Sequence, residues 1–266
     1  MYKRQEKPRI DWLRSFPYFA VHASVGLVFV VGVQPSWIAL CVVSYVIRMF
    51  AITAGFHRYF SHRSYKTGRA FQFLLAFVGT TATQRGPLWW AGHHRHHHKT
   101  ADTPDDIHSP HHGGFWWAHM GWFLTPRFRA TREDLVPDWL KYPELRFLDR
   151  HYRVPPVLYA AALYLAGGLP WLVWGYIVST VLLWHATNAI NTVAHLVGHR
   201  EHEVADTSRN NWVMAILTLG EGWHNNHHAN PATYRQGLRP GQFDIAGAVL
   251  RLLARLGVVG DLREPS

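Results

Sequence analysis

The chain has almost no cysteine. Its one thiol, Cys41, sits inside an apolar run, which leaves no internal disulfide and no thiolate metal site. Acidic residues are scarce as well: 17 Asp and Glu stand against 27 Lys and Arg, for a formal net charge of +10. A basic excess of this size suits nucleic acid, an anionic membrane face or an acidic partner. No nucleic-acid module accompanies it, so no nucleic acid is expected as a partner. Charge of either sign is missing from two long stretches, Ser15 to Ile47 and Val154 to His199. The segment before the first carries Lys3, Arg4, Lys7, Arg9 and Arg14. No small-residue cleavage site follows the apolar run, and a cleaved secretory leader is not expected.

A helix that crosses a bilayer needs ~20 apolar residues. Each uncharged stretch is well beyond the length of one span and is broken near its middle, by Gln34-Pro35-Ser36 and by Gly167-Gly168-Leu169-Pro170. The pattern predicts an all-α integral membrane protein with four transmembrane helices in two hairpins, residues 15–55 and 154–199. Residues 56–153 and 200–266 then lie on one side with the N-terminus, as a helical cap within a single domain. Basic residues crowd these segments and are absent from both turns. The positive-inside rule makes that side the cytoplasm, so both termini and the cap are expected there, at the inner membrane if the cell is bacterial. Phe71 to Val78 is too short to span and is expected to be buried or re-entrant. Phe115-Trp116-Trp117 and Trp122-Phe123 look like interfacial aromatics.

Histidine is what the chain has in excess, with 20. In Gly92-His93-His94-Arg95-His96-His97-His98-Lys99, read as a helix, His94, His97 and His98 fall at i, i+3 and i+4 on one face. His224-Asn225-Asn226-His227-His228 repeats that spacing. A third pair, His57 and His62, is five residues apart and does not stack on an ideal α-helix. His195 lies near the cytoplasmic end of the fourth span, one turn after Asn191; an ionisable group there is costly and marks function. Neutral imidazole suits iron, zinc and copper. The clusters are expected to converge on two metal ions. His93 and His96 fall off the shared face and are expected not to be ligands; His22 and His185 are read as structural.

These residues resemble the membrane-bound fatty acid desaturases of the acyl-CoA Δ9, stearoyl-CoA desaturase-like type. The family's boxes HxxxxH, HxxHH and HxxHH correspond to His57…His62, His94…His97-His98 and His224…His227-His228, and its Asn-x-x-x-His element to Asn191 and His195. The match in order is highly specific, although any single box is weak. The resemblance implies an O2-dependent acyl desaturase that places a cis double bond, at Δ9, in a saturated fatty acyl chain. It implies two irons held by His57, His62, His94, His97, His98, His195, His224, His227 and His228, with Asn191 acting through a water. Asp102, Asp106 and Glu221 would orient ligating rings. Gln84 and Trp90, and Thr187 with less support, would line the bend of an acyl tunnel. Arg127 and Arg129 would meet phosphates of an acyl-CoA, the expected carrier. Gly92 and Pro126 stand where the vertebrate relatives have basic residues, which leaves acyl carrier protein or intact lipid open. No fused cytochrome b5 domain is expected, so electrons would come from an external donor of ferredoxin or cytochrome b5 type, whose acidity a basic face would suit.

Two other readings compete. A related diiron hydroxylase or ketolase on alkanes, sterols or carotenoids shares the box spacing, but Asn191/His195 and Trp90-Ala91-x-His-His-Arg favour the desaturase. A metal-handling membrane protein would line its spans with acidic or histidine ligands, whereas these spans carry little beyond His22, His185, Asn188 and His195.

Overall fold

The computed structural model describes residues 9–265, so Lys3, Arg4 and Lys7 lie outside the described residues. Helix accounts for nearly all regular structure. The expectation of pure α structure needs one correction: Lys66–Thr67 pairs antiparallel with Val259–Gly260.

The first helix, Trp12–Ser24, is capped by Asp11, whose carboxylate accepts from the Arg14 amide at 3.1 Å. It continues through Val25–Leu27 and Val28–Val31 and stops at Gly32, where φ is 80°. A left-handed backbone is cheap only for glycine. Pro35 then opens the next helix, Pro35–Phe50, at a position where no amide proton is needed. That helix passes without a break into a π-helix, Ala51–Ser61.

Three described helical stretches are long and apolar enough to cross a membrane: Trp12–Val31, Pro35–Ser61 and Val154–Leu196. The third runs for 43 residues. It is not straight, because Gly167 and Gly168 leave helical geometry, Gly168 at φ 65°. The break falls within Val154–Trp171, which contacts the following Leu172–Val178. Phe29, Val42, Val46 and Leu165 point their side chains outward, as a lipid-facing surface requires. The second stretch runs on to Ser61.

The remaining helices, among them Arg69–Thr81, Pro87–Thr100, Pro143–Arg150 and Ile245–Arg255, gather beside the end of the second stretch. Met49, Ile52, Phe56, Phe60, Leu75, Leu88, Leu145 and Leu250 form one buried cluster that ties it to them. Burying each such side chain contributes about 1.5–3 kcal/mol. Trp116 is 68% exposed as an interfacial ring would be, but Trp122 is 7% exposed and stacks on Trp89, which corrects its placement in the membrane belt. The last described residues act as a strap. The Arg263 amide donates to the Ser64 carbonyl, and the Tyr234 amide to that of Arg263, both at 2.9 Å.

Candidate metal centre

The π-helix explains how His57 and His62 share a face. Its i→i+5 bonding places residues five apart one above the other. The His62 amide donates to the His57 carbonyl at 3.2 Å, and the two ring centroids are 4.9 Å apart. The end of this helix is fixed from the second cluster. Arg95 donates to the carbonyls of Phe60 and Ser61 at 2.8 Å and pairs with Asp138.

His94, His97 and His98 lie on one face of Pro87–Thr100. His93 turns away to the Trp89 carbonyl and His96 to that of Asp105. The third cluster occupies a short helix, His224–Ala229. Buried amides hold it in place of a longer helix: Asn210 donates to Asn226 at 2.7 Å, Asn226 donates to the Gln236 carbonyl at 2.9 Å, and Asn225 accepts from the amides of Glu201 and His202.

Nine histidines from these segments and from His195 meet in two groups. His57, His62, His94, His98 and His227 form one; His97, His195, His224 and His228 form the other. Within each group the ring nitrogens lie within 4.8 Å of one another. The outer nitrogens meet carboxylates. The Nδ1 of His97 is 3.0 Å from Asp106, that of His195 is 2.9 Å from Asp102, that of His228 is 2.7 Å from Asp206, and that of His57 touches Glu221. Arg58 holds Glu221 from the other side at 3.0 Å. Burial opposes ionisation of Asp102, Asp106 and Glu221, but their histidine partners, with Arg58 at Glu221, prevail and hold all three below the usual carboxylate range.

This donor set fits a metal. A carboxylate can only accept, so each Nδ1 facing one carries a proton, which leaves Nε2 as the nitrogen through which the ring can ligate a metal. The Nε2 of His224 is 3.1 Å from those of both His195 and His228. The Nε2 of His227 is 3.0 Å from that of His57 and 2.9 Å from that of His98. One ring proton cannot satisfy two lone pairs, whereas a cation at each group satisfies all of them. Burial first, then the neighbouring imidazoles, hold His62, His94, His98, His224, His227 and His228 well below the ordinary histidine range, which keeps them uncharged.

A cavity abuts both groups. Met49, Ile52, Thr53, Trp90, Thr187, Ile190, Asn191 and Thr218 line it together with His57, His94, His97, His224 and Glu221. Gln84 ties two wall residues together: Trp90 Nε1 donates to it at 3.2 Å, and it donates to Thr187 Oγ1 at 3.1 Å. Arg127 and Arg129 do not line the cavity. Arg129 pairs with Asp11 at 2.5 Å, and Arg127 lies against Phe128.

Two participants escaped the sequence argument. Asp206 sits in a polar loop with no motif to flag it, and its only signal was its place just after the uncharged stretch. His108 is buried beside Asp106 and the His97 ring, and burial brings it to about 3.

Residues 35–242 match the fatty acid desaturase family model. The chain belongs to the fatty acid desaturase family. It is 40% identical to an acyl-CoA 5-desaturase of Anemone leveillei, over 86% of this chain and 72% of that protein. It is 34% identical to an sn-2 palmitoyl-lipid 9-desaturase of Nostoc sp. (strain 36), over 96% and 91%, and 33% identical to an sn-1 stearoyl-lipid 9-desaturase of Anabaena variabilis, over 97% and 95%. This desaturase is therefore an oxidoreductase of lipid metabolism, and its histidine groups suit a metal site.

Proposed function

We propose that this desaturase removes two hydrogens from adjacent methylenes of a saturated fatty acyl chain and leaves a cis double bond at Δ9. The observation that carries this is two groups of converging imidazoles beside a mostly apolar cavity. Iron is the proposed metal, two ions, with His57, His62, His94, His98 and His227 holding one and His97, His195, His224 and His228 the other, and Asn191 acting through a water. When bound, iron supplies the redox chemistry by which O2 and two electrons from an external donor yield an oxidant able to take hydrogen from an unactivated carbon.

The chain's own residues do the rest. Asp102, Asp106, Asp206 and Glu221 fix which ring nitrogen is free and which way each imidazole faces. The walls from Met49 to Thr218 exclude water and hold the acyl chain straight against the histidines. Trp90, Gln84 and Thr187 set where it turns, and hence which carbons are presented. The expected carrier is CoA, although Arg129 would have to leave Asp11 to meet its phosphates. Four spans, with the histidine groups and both termini on the cytoplasmic side, complete the proposal. The break at Gly167-Gly168 supports the fourth.

The test is gas chromatography with mass spectrometry of fatty acids from a host expressing this chain, with double bonds localised. New Δ9 monoenes are expected. Hydroxylated products without new double bonds would instead favour the hydroxylase reading.

A further inference from the structure

Gln84, which bonds two residues of the cavity wall, is held by an unusual turn. Residues 81–86 link Arg69–Thr81 to Pro87–Thr100 and contain two non-glycine residues with left-handed backbone, Thr83 at φ 60° and Arg85 at φ 66°. Such a conformation persists only where its surroundings enforce it. Here they do so from inside the membrane-spanning helices. Trp184 Nε1 donates to the Ala82 carbonyl at 2.9 Å, and the Tyr176 hydroxyl bonds Thr83 Oγ1 at 3.1 Å.

Behind Tyr176 lies Arg48. It is 1% exposed, within a candidate span, and no carboxylate contacts it among the described residues. Its guanidinium donates to Thr180 Oγ1 at 2.7 Å, Ser179 Oγ at 2.5 Å, the Ser44 carbonyl at 3.2 Å and the Thr81 carbonyl at 3.4 Å. It also sits 5.3 Å from the Tyr159 ring centre and 5.7 Å from that of Tyr176. A cation at this depth is costly, and its retention calls for a function. A salt bridge is not that function, since every acceptor is neutral. What it does touch is the start of the strained turn and the tyrosine that clamps its middle.

We propose that Arg48 is a positioning residue for selectivity: through Tyr176 and Thr83 it fixes the turn that carries Gln84, and so sets which methylene pair of the acyl chain is presented to the histidine groups. The inference rests on the desaturase reading. Gln84 is the pin between Trp90 and Thr187, two residues that line the cavity. A turn free to relax would shift that pin, and the acyl chain would seat in more than one register. Metal binding would be untouched, because neither Arg48 nor the turn contributes to the histidine groups.

The experiment compares the wild type with Thr83→Gly, Tyr176→Phe, Arg48→Lys and Arg48→Met in an expressing host. It reads double-bond position by mass spectrometry alongside metal content of the purified proteins. Thr83→Gly suits the left-handed backbone and removes the hydroxyl that meets Tyr176 and the Thr81 carbonyl. Thr83→Gly and Tyr176→Phe are expected to lower the ratio of the main positional isomer to its neighbours by about tenfold, the scale on which an apolar pocket discriminates one methylene. Metal content should stay at the wild-type level. Arg48→Met should behave likewise, with Arg48→Lys partly restoring the profile. Should the Arg48 variants fail to accumulate, Thr83→Gly and Tyr176→Phe decide alone. An unchanged isomer ratio in both would overturn the inference and leave the desaturase reading intact. No new double bond even from the wild type would overturn that reading and the inference with it.

Discussion

The amide of His62 donates to the carbonyl of His57 across 3.2 Å. That bond belongs to a five-residue turn, and it brings onto one face two rings that an α-helix would hold apart. Both rings then join His94, His98 and His227 in the same group. The proposed ligand roles can be checked one residue at a time.

His94→Ala and His228→Ala each remove a ring from a different group. Either is expected to abolish desaturation and to lower bound iron in the purified protein. Full turnover in either variant would contradict the ligand assignment.

Asp206→Asn and Glu221→Gln keep shape but remove the charge that His228 and His57 lean on. Changes in such outer partners typically cost about 10–100-fold in metal affinity or activity. Metal titration of the stripped protein measures this, and wild-type affinity in both would mean the carboxylates only fill space.

Trp90→Ala opens the cavity wall without removing a histidine. The chain-length or positional profile is expected to change more than iron content does. Identical products from variant and wild type would count against Trp90 shaping the cavity.

Stability of the metal-free protein should fall as the medium is acidified. Burial holds His224 and His227 far below the ordinary value of about 6.5. Below that value the unfolded chain takes up protons that the folded rings refuse. Their contribution is therefore complete above about pH 6.5 and is lost as pH drops, by up to about 1.4 kcal/mol per unit for each ring. Thermal melts of stripped protein between pH 7 and 5 read this directly; a flat curve would show that the rings are not held neutral.

The chemistry was far more legible in the sequence than the architecture that delivers it. Spacing at 94–98 and 224–228 is visible because i, i+3 and i+4 is a helical repeat. The pair 57 and 62 stands out as a pair, but a spacing of five does not show on an ideal α-helix that its rings share a face, because a π-helix leaves no comparable signature. Asp206 was invisible because a single acid in a loop acquires meaning only from the ring it faces. Trp122 was misplaced because an aromatic run looks the same whether it meets lipid headgroups or stacks on Trp89. The long apolar stretch 154–196 hid its break only in part: Gly167-Gly168 marked it, and the left-handed Gly168 is where the chain turns.

The strap formed by Val259–Gly260 and Arg263 has a consequence for biogenesis. It pairs with Lys66–Thr67, just after the first histidine pair, and with Tyr234, just after the last cluster. These contacts close only after all three histidine segments have left the ribosome. A nascent chain therefore completes these contacts last, once every histidine segment is available to fold.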